Sequence, residues 1–269
     1  MIDEAGHGQF KANTTTHMLA APMTSGLASY MFDVICPAIQ ALPEFLAETG
    51  YADVTDGTKT SFQKAFHTDL THFAWLGQRP EYLASWQQTQ TALGSSEWLT
   101  GFELFEKEAL GTEDDVERVF FVDVGGGHGH QCLAVRDKYP GFKGQFVLEE
   151  LPEVVQQLSE IPGLRIEVND IFEEQKIKGK CVQILQNLKS AMAHDSRILV
   201  DEILLPETNV PYLGAAADLT MMIMQGSKER TRKQWTMLAE RSGLRIAHVH
   251  EYNDSIGLQA IIVFELDQV

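Results

Sequence analysis

Arg118-Val-Phe-Phe-Val-Asp-Val-Gly-Gly-Gly-His-Gly-His130 decides the fold. A short apolar run, Val119 to Val124, ends in three consecutive glycines, as expected of a buried parallel strand and its turn. A strand feeding a glycine-rich turn lets the backbone approach a bound nucleotide closely. The turn has the GxGxG form, not the full GxGxxG dinucleotide fingerprint. Glycine turns also close strands for packing reasons, so this stretch alone leaves both readings open.

The downstream sequence alternates. CLAVRDKYP reads as a helix, GQFVLEEL as a strand, PEVVQQL as a helix and LRIEVND as a strand. CVQILQNLKSAM is helical, SRILVDEILL a strand, and DLTMMIMQ and RTRKQWTMLAERSG are helices. GLRIAHVHEY and LQAIIVFEL read as a closing antiparallel pair. Such alternation specifies an α/β, doubly wound, Rossmann-like sheet. Upstream, residues 17–110 are mostly helical. MFDVICPAIQALPEFLAETG is expected to break at Pro37 and Pro43 and to end at Gly50. FQKAFHTDLTHFAWL and PEYLASWQQTQTAL read as two further helices, and Gly8 to Asn13 as an edge hairpin or a loose end. The expected division is a helical part, residues 1–110, and a Rossmann-like domain, residues 111–269.

Three acids support a ligand site. Glu149 and Glu150 close the strand after the glycine turn, where an acid can accept hydrogen bonds from ribose hydroxyls. Asp170 closes the next strand, within reach of an adenine amino group. Taken singly, an acid at a strand end simply faces water. Three in register converge on the crevice where open α/β sheets bind ligands.

With these residues the chain resembles the fungal class I O-methyltransferases of secondary metabolism, over nearly its whole length. VDVGGGHGH is similar to the family's first cofactor motif, LEELPEVV to its ribose-binding stretch, with Glu150 where the family usually has Asp, and NDIF to its adenine-side motif. ILVDEILLPE, DLTMM and GSKERTRKQW resemble three later blocks. The resemblance implies S-adenosyl-L-methionine as cofactor, held around Asp123, Gly125, Gly126, Gly127, Glu150, Asp170 and Ile171. It implies a pocket for a small aromatic or polyketide-type hydroxyl, floored near Met221, Met222 and Met224. Core packing is the plain alternative for those methionines. In the family a histidine deprotonates the acceptor and two acids orient it; the acids match Glu202 and Glu229.

The histidine block, with the strand before it, belongs after Gly179, yet Lys180 runs straight into Cys181. The base is therefore expected to be missing, and so is a strand from the middle of the sheet. Part of residues 176–186 is the candidate to fill the slot. His194, His128, His130, His67 and His72 are expected to be surface, cofactor-turn or pocket histidines rather than the base. The resemblance begins inside the family's winged-helix unit, at GHGQFKANTTTHML, which leaves a homodimer possible but without its usual N-terminal dimerisation helices.

The expected function is an O-methyltransferase-like protein with impaired transfer. The alternatives are a pericyclase-like enzyme using the bound cofactor as a cationic element, or a non-catalytic accessory paralogue. A wrongly joined gene is the trivial fourth reading, tested by a transcript across Lys180–Cys181. A net charge of −17 on 269 residues argues against nucleic acid and anionic lipid as partners. Cys36, Cys132 and Cys181 are odd in number and far apart, so free thiols and no metal site are expected. With no apolar run of membrane length and no signal peptide, the cytoplasm is the default location.

Overall fold

The computed structural model describes residues 2–93, 96–111, 116–170, 180–252 and 258–267. The strands are β1 (Asp3–Gly6), β2 (Gln9–Lys11), β3 (Val119–Val124), β4 (Gln145–Glu150), β5 (Leu164–Val168), β6 (Ile198–Leu205), β7 (Arg230–Thr231), β8 (Leu244–Tyr252) and β9 (Gln259–Leu266). The helices are α1 (Thr14–Ala20), α2 (Pro22–Tyr30), α3 (Cys36–Glu48), α4 (Ser61–Phe66), α5 (His72–Gly77), α6 (Pro80–Leu93) and α7 (Glu103–Gly111). They continue with α8 (His130–Lys138), α9 (Pro152–Val155), α10 (Lys180–Ala191), α11 (Tyr212–Gln225) and α12 (Arg232–Ser242). The chain forms two compact units: Met1–Ser95 with Asn209–Glu229, and Ser96–Thr208 with Arg230–Val269. The units therefore divide after Ser95 rather than near residue 110, and α11 belongs to the first.

In the first unit, helices pack around Tyr30, Val34, Ala38, Phe62, Trp75, Leu76, Ile223 and Met224. The expected break at Pro37 is a π-helical turn, Met31–Ile35, leading into α3. Pro37 lacks an N–H and its ring crowds the carbonyl four residues back, so the helix widens just before it. Pro43 does not end α3, which buries Ala38 and Phe45 on either side of it. FQKAFHTDLTHFAWL is not one helix. His67 takes a left-handed conformation that ends α4, and the Thr71 hydroxyl caps α5. At the end of α11, Gly226 (φ 59°) lies so close to the Asp56 backbone that an added Cβ would sit 2.8 Å from it.

His72 is 2% exposed in this core. Its Nε2 lies 2.6 Å from the Tyr30 hydroxyl and its Nδ1 3.1 Å from the Gln225 amide nitrogen. Both ring nitrogens thus have partners, and burial pushes its pKa down to about 4.

The second unit carries the Rossmann-like sheet, in two pieces. One is parallel, in the order β5-β4-β3. The other has the order β7-β6-β9-β8. β7 reaches β6 only at Leu204 and Leu205. Among the described residues, no strand pairs with the second edge of β3, nor with that of β6 along Ile198–Ile203. Residues 180–186, the described part of the segment expected to fill the slot, form α10 and not a strand. Middle strands of such sheets are covered on both faces. In β3, Val119 is 37% and Val122 42% exposed.

One aromatic layer spans both pieces. Trp98, Phe102 and Phe105 form a cluster with Phe121 and Phe146 of the parallel piece and with Leu199, Ile261 and Val263 of the other. Arg118 and Asp195 join the starts of β3 and β6 at 2.9 Å. α10 and α12 bury Leu185, Trp235 and Leu238 with Ile262 and Phe264.

Between its unfolded value near 6.5 and its folded value near 4, His72 binds a proton in the unfolded chain and not in the native one. Its stabilisation is present above pH 6.5 and is lost as the pH falls towards 4. Melts of the wild type should therefore fall over that window more steeply than those of His72→Phe, by an amount worth ~3 kcal/mol. Parallel pH profiles for the two proteins would contradict this.

Candidate cofactor and active site

The site begins where β3 ends. The hydrogen-bond ladder continues one step beyond the strand, with Gly125 N–H donating to the Glu149 carbonyl at 2.8 Å. Gly125 (φ 73°) and Gly127 (φ 59°) then turn the chain through a conformation that side chains resist. Around both, the space a Cβ would take is open to 4 Å. Gly126 is constrained differently, since an added Cβ would come 2.3 Å from the Asp123 carboxylate. The turn is thus open on one face and closed by Asp123 on the other.

Glu150 is 9% exposed. Its carboxylate accepts hydrogen bonds from Gly127 N–H and Leu151 N–H, each at 2.8 Å. Two bonds leave part of a carboxylate's accepting capacity unused. The neighbouring Glu149 accepts from the Asn169 side-chain amide at 2.6 Å. These contacts bring the ends of β3, β4 and β5 together. Asp170 follows, half-buried, after β5, and Ile171 lies outside the described residues.

Asp123 has a buried carboxylate oxygen, Oδ2, without a hydrogen-bond partner. Burial is the largest influence on its pKa; the Cys132 backbone amide opposes it and the negative Glu150 adds to it, leaving the value raised to about 6. A half-buried acid with one unpartnered oxygen beneath an open glycine turn suits a cationic, hydrogen-bonding ligand.

Glu202 lies in β6, opposite Ala260. Its side chain is exposed, yet the protein around it still removes enough solvent to raise its pKa, against the attraction of Arg230. Next to it, Asp201 accepts a hydrogen bond from the Tyr252 hydroxyl at 2.5 Å. Glu229 is half-buried and its backbone N–H donates to Asp218 at 2.9 Å. Glu202 and Glu229 belong to different compact units. Met221 and Met222 are half-buried on α11, whereas Met224 is 3% exposed and is part of the helical core. Among the histidines, His194, His128, His130 and His67 are exposed, and His72 is bound by Tyr30 and Gln225. Tyr30, Gln225 and Arg230 escaped the sequence reading because their roles come from long-range contacts.

A family model described as an O-methyltransferase domain matches residues 175–245. Demethylsterigmatocystin 6-O-methyltransferase of Aspergillus flavus is 33% identical over 98% of this chain and 71% of its own. The chain belongs to the fungal O-methyltransferase family. Another relative of that organism, O-methyltransferase lepI, is 32% identical over 99% of this chain and 73% of its own. The solved structure of LepI in complex with SAM superposes with a TM-score of 0.88 at 31% identity, covering 99% of this chain and 73% of that one. OxaC in complex with SAH and oxaline, at 20% identity and a TM-score of 0.82, shares the fold.

Because the folded pKa of Asp123 is raised, the native state binds more protons than the unfolded chain between about pH 3.8 and 6. Stability is therefore lost as the pH rises through that window. Asp123→Asn should melt higher than the wild type at pH 7.5, by the equivalent of about 1–2 kcal/mol, and the gap should close by pH 4. An unchanged or lower melting temperature at pH 7.5 would contradict this.

Proposed function

We propose that this chain binds S-adenosyl-L-methionine and is an O-methyltransferase-like protein of secondary metabolism, with methyl transfer impaired. The carrying observation is the glycine turn that β3 presents between Asp123 and Glu150. The residues fit the cofactor. Its ammonium group answers the unpartnered Asp123 oxygen, the open faces of Gly125 and Gly127 admit close approach, and Glu150 has accepting capacity left for ribose hydroxyls. Asp170 and Ile171 stand at the adenine-side motif. Bound, the cofactor supplies an electrophilic methyl group on a sulfonium.

Impairment rests on the acceptor side. A phenol needs a base to become a good nucleophile near neutral pH, and such a base contributes about 10²–10⁴-fold. The block that carries it in the family has no counterpart after Gly179. The alignment to the Aspergillus flavus relative runs over 279 positions, longer than this chain's 269 residues. Four of the histidines considered are surface residues, and His72 is sealed in a core. Glu202 and Glu229 remain as the supporting acids, with Met221 and Met222 as pocket residues for a phenolic or polyketide-type hydroxyl. We assign the chain to the cytoplasm.

A second reading is a pericyclase-like role. A solved structure named as a pericyclic reaction enzyme is 32% identical with a TM-score of 0.86. Such catalysis needs no acceptor base, and Arg230 places a cation in the field of Glu202.

Calorimetry with S-adenosyl-L-methionine, beside a methyl-transfer assay on phenolic acceptors, tests the proposal. Saturable binding is expected, weakened at least ~10-fold in Glu150→Ala, with no measurable transfer. Robust turnover of a phenol would overturn the impairment. A cooperatively folded chain that binds no cofactor would overturn the cofactor assignment.

A further inference from the structure

The first member of the aromatic layer, Trp98, lies in a short 3₁₀ turn, Glu97–Leu99, in the same compact unit as the glycine turn. It is 3% exposed. Its ring lies nearly parallel to Phe121 of β3, with centroids 6.3 Å apart, and meets Phe105 edge-on at 5.4 Å. These contacts fix the plane of the indole and so the direction of its one donor. A buried N–H requires an acceptor. Here the indole N–H donates to the Gln131 side-chain oxygen at 2.7 Å.

Gln131 is the second residue of α8 and follows the glycine turn directly. Gly129 (φ 74°) precedes the helix, and an added Cβ there would come 2.9 Å from the Leu164 side chain and 3.4 Å from that of Leu148. The start of α8 therefore rests closely on β4 and β5 and is tied separately to Trp98. The turn's own hydrogen bonds end on this start. Gly129 N–H donates to the Gly126 carbonyl at 2.9 Å, and Leu133 N–H to the Gly129 carbonyl at 3.0 Å.

Further along α8 the packing is less complete. A cavity of about 540 Å³ is bordered by Leu99 and Thr100 on one side and by Leu133 and Ala134 of α8 on the other. Where close packing is interrupted, hydrogen bonds carry more of the relative placement of two elements. At the far end of α8, Lys138 Nζ donates to the Leu99 carbonyl. The two bonds have different reach. The Lys138 bond holds the end of the helix remote from the turn, whereas the Trp98 bond holds the end that bears it. Binding sites keep their shape when the residues behind them are locked by packing and by a further hydrogen bond.

We propose that Trp98 is a positioning residue for the cofactor turn. Through Gln131 its indole N–H fixes the start of α8, and with it the glycine turn between Asp123 and Glu150. Its effect on ligand affinity rests on the S-adenosyl-L-methionine reading given above; the positioning itself belongs to the free protein.

The full chain carrying Trp98→Phe keeps a ring in the aromatic layer and loses only the donor. Gln131→Met keeps the whole layer and loses the acceptor, so it carries the test if Trp98→Phe does not fold. By calorimetry each should bind S-adenosyl-L-methionine about 5-fold more weakly than the wild type. The double variant should be no weaker than either single one, because both remove the same bond. Gln131→Glu retains an acceptor and should stay within about 2-fold of the wild type. Lys138→Met, which removes the bond at the far end of α8, should lower the melting temperature and leave affinity within about 2-fold. In the free proteins, the amides of Gly127, Gly129 and Leu133 should exchange about 5-fold faster in Trp98→Phe and Gln131→Met than in the wild type, with β4 amides unchanged. Additive losses of affinity, equal losses in Lys138→Met, or unchanged exchange at the turn would overturn the proposal. A wild type that binds no cofactor would overturn the cofactor reading instead, and the exchange of the turn amides would still decide the positioning.

Discussion

A β-strand carries hydrogen-bonding groups along both edges, and among the described residues β3 pairs along one of them. That constraint organises the second unit. In an uninterrupted sheet, β3 would be the most enclosed strand, and the glycine turn at its end would rest on a ladder fixed from both sides. Among the described residues the turn is held from the β4 side, through Gly125 to Glu149 and Gly127 to Glu150. What a second neighbour would contribute comes instead from the aromatic layer of Trp98, Phe102 and Phe105, which contacts both sheet pieces. Apolar burial is non-directional. It can hold the halves together but cannot set strand register as a ladder does.

The same constraint bears on the two halves of the proposed chemistry. The β3-β4-β5 side is intact and brings together Asp123, Glu149, Glu150 and the glycine turn. Asp123 is there at a cost to stability, half-buried with one buried, unpartnered oxygen and a raised pKa. Local cost of this kind is a common mark of a binding site. On the other side, β6 has no strand partner among the described residues along the second edge of Ile198–Ile203. The acids proposed to support transfer are Glu202, in β6, and Glu229, in the other compact unit. In the function proposed above, recognition of cofactor and activation of acceptor rest on different strands, so one can persist without the other.

Much of this was legible in the sequence because it is local. The run from Val119 to Val124 with its glycines, the acids at Glu149 and Glu150, and the alternation from Cys132 to Leu266 follow from periodicity and turn chemistry over a few residues. The expectation of a missing block between Lys180 and Cys181 came only from the family pattern. What the sequence did not reveal is long-range. The break of the segment from Phe62 to Leu76 depends on His67 adopting a left-handed conformation and on His72 turning inward to Tyr30 and Gln225, which are 42 and 153 residues away. Pro43 continues a helix because Ala38 and Phe45 are buried around it. The membership of α11 in the first unit comes from Ile223 and Met224 joining the Tyr30 core, whereas its amphipathic pattern would suit either unit.

Amide hydrogen exchange of the free protein, resolved to individual strands, tests the open sheet most directly. Amides of β4 and β9 have neighbours on both sides and report the stability of their sheet pieces. With an open sheet, β3 amides directed away from β4 exchange at least ~10-fold faster than β4 amides, and those of β6 along Ile198–Ile203 that point away from β9 do the same. If β3 is protected as fully as β4, a partner occupies its second edge and the account of a divided sheet is wrong.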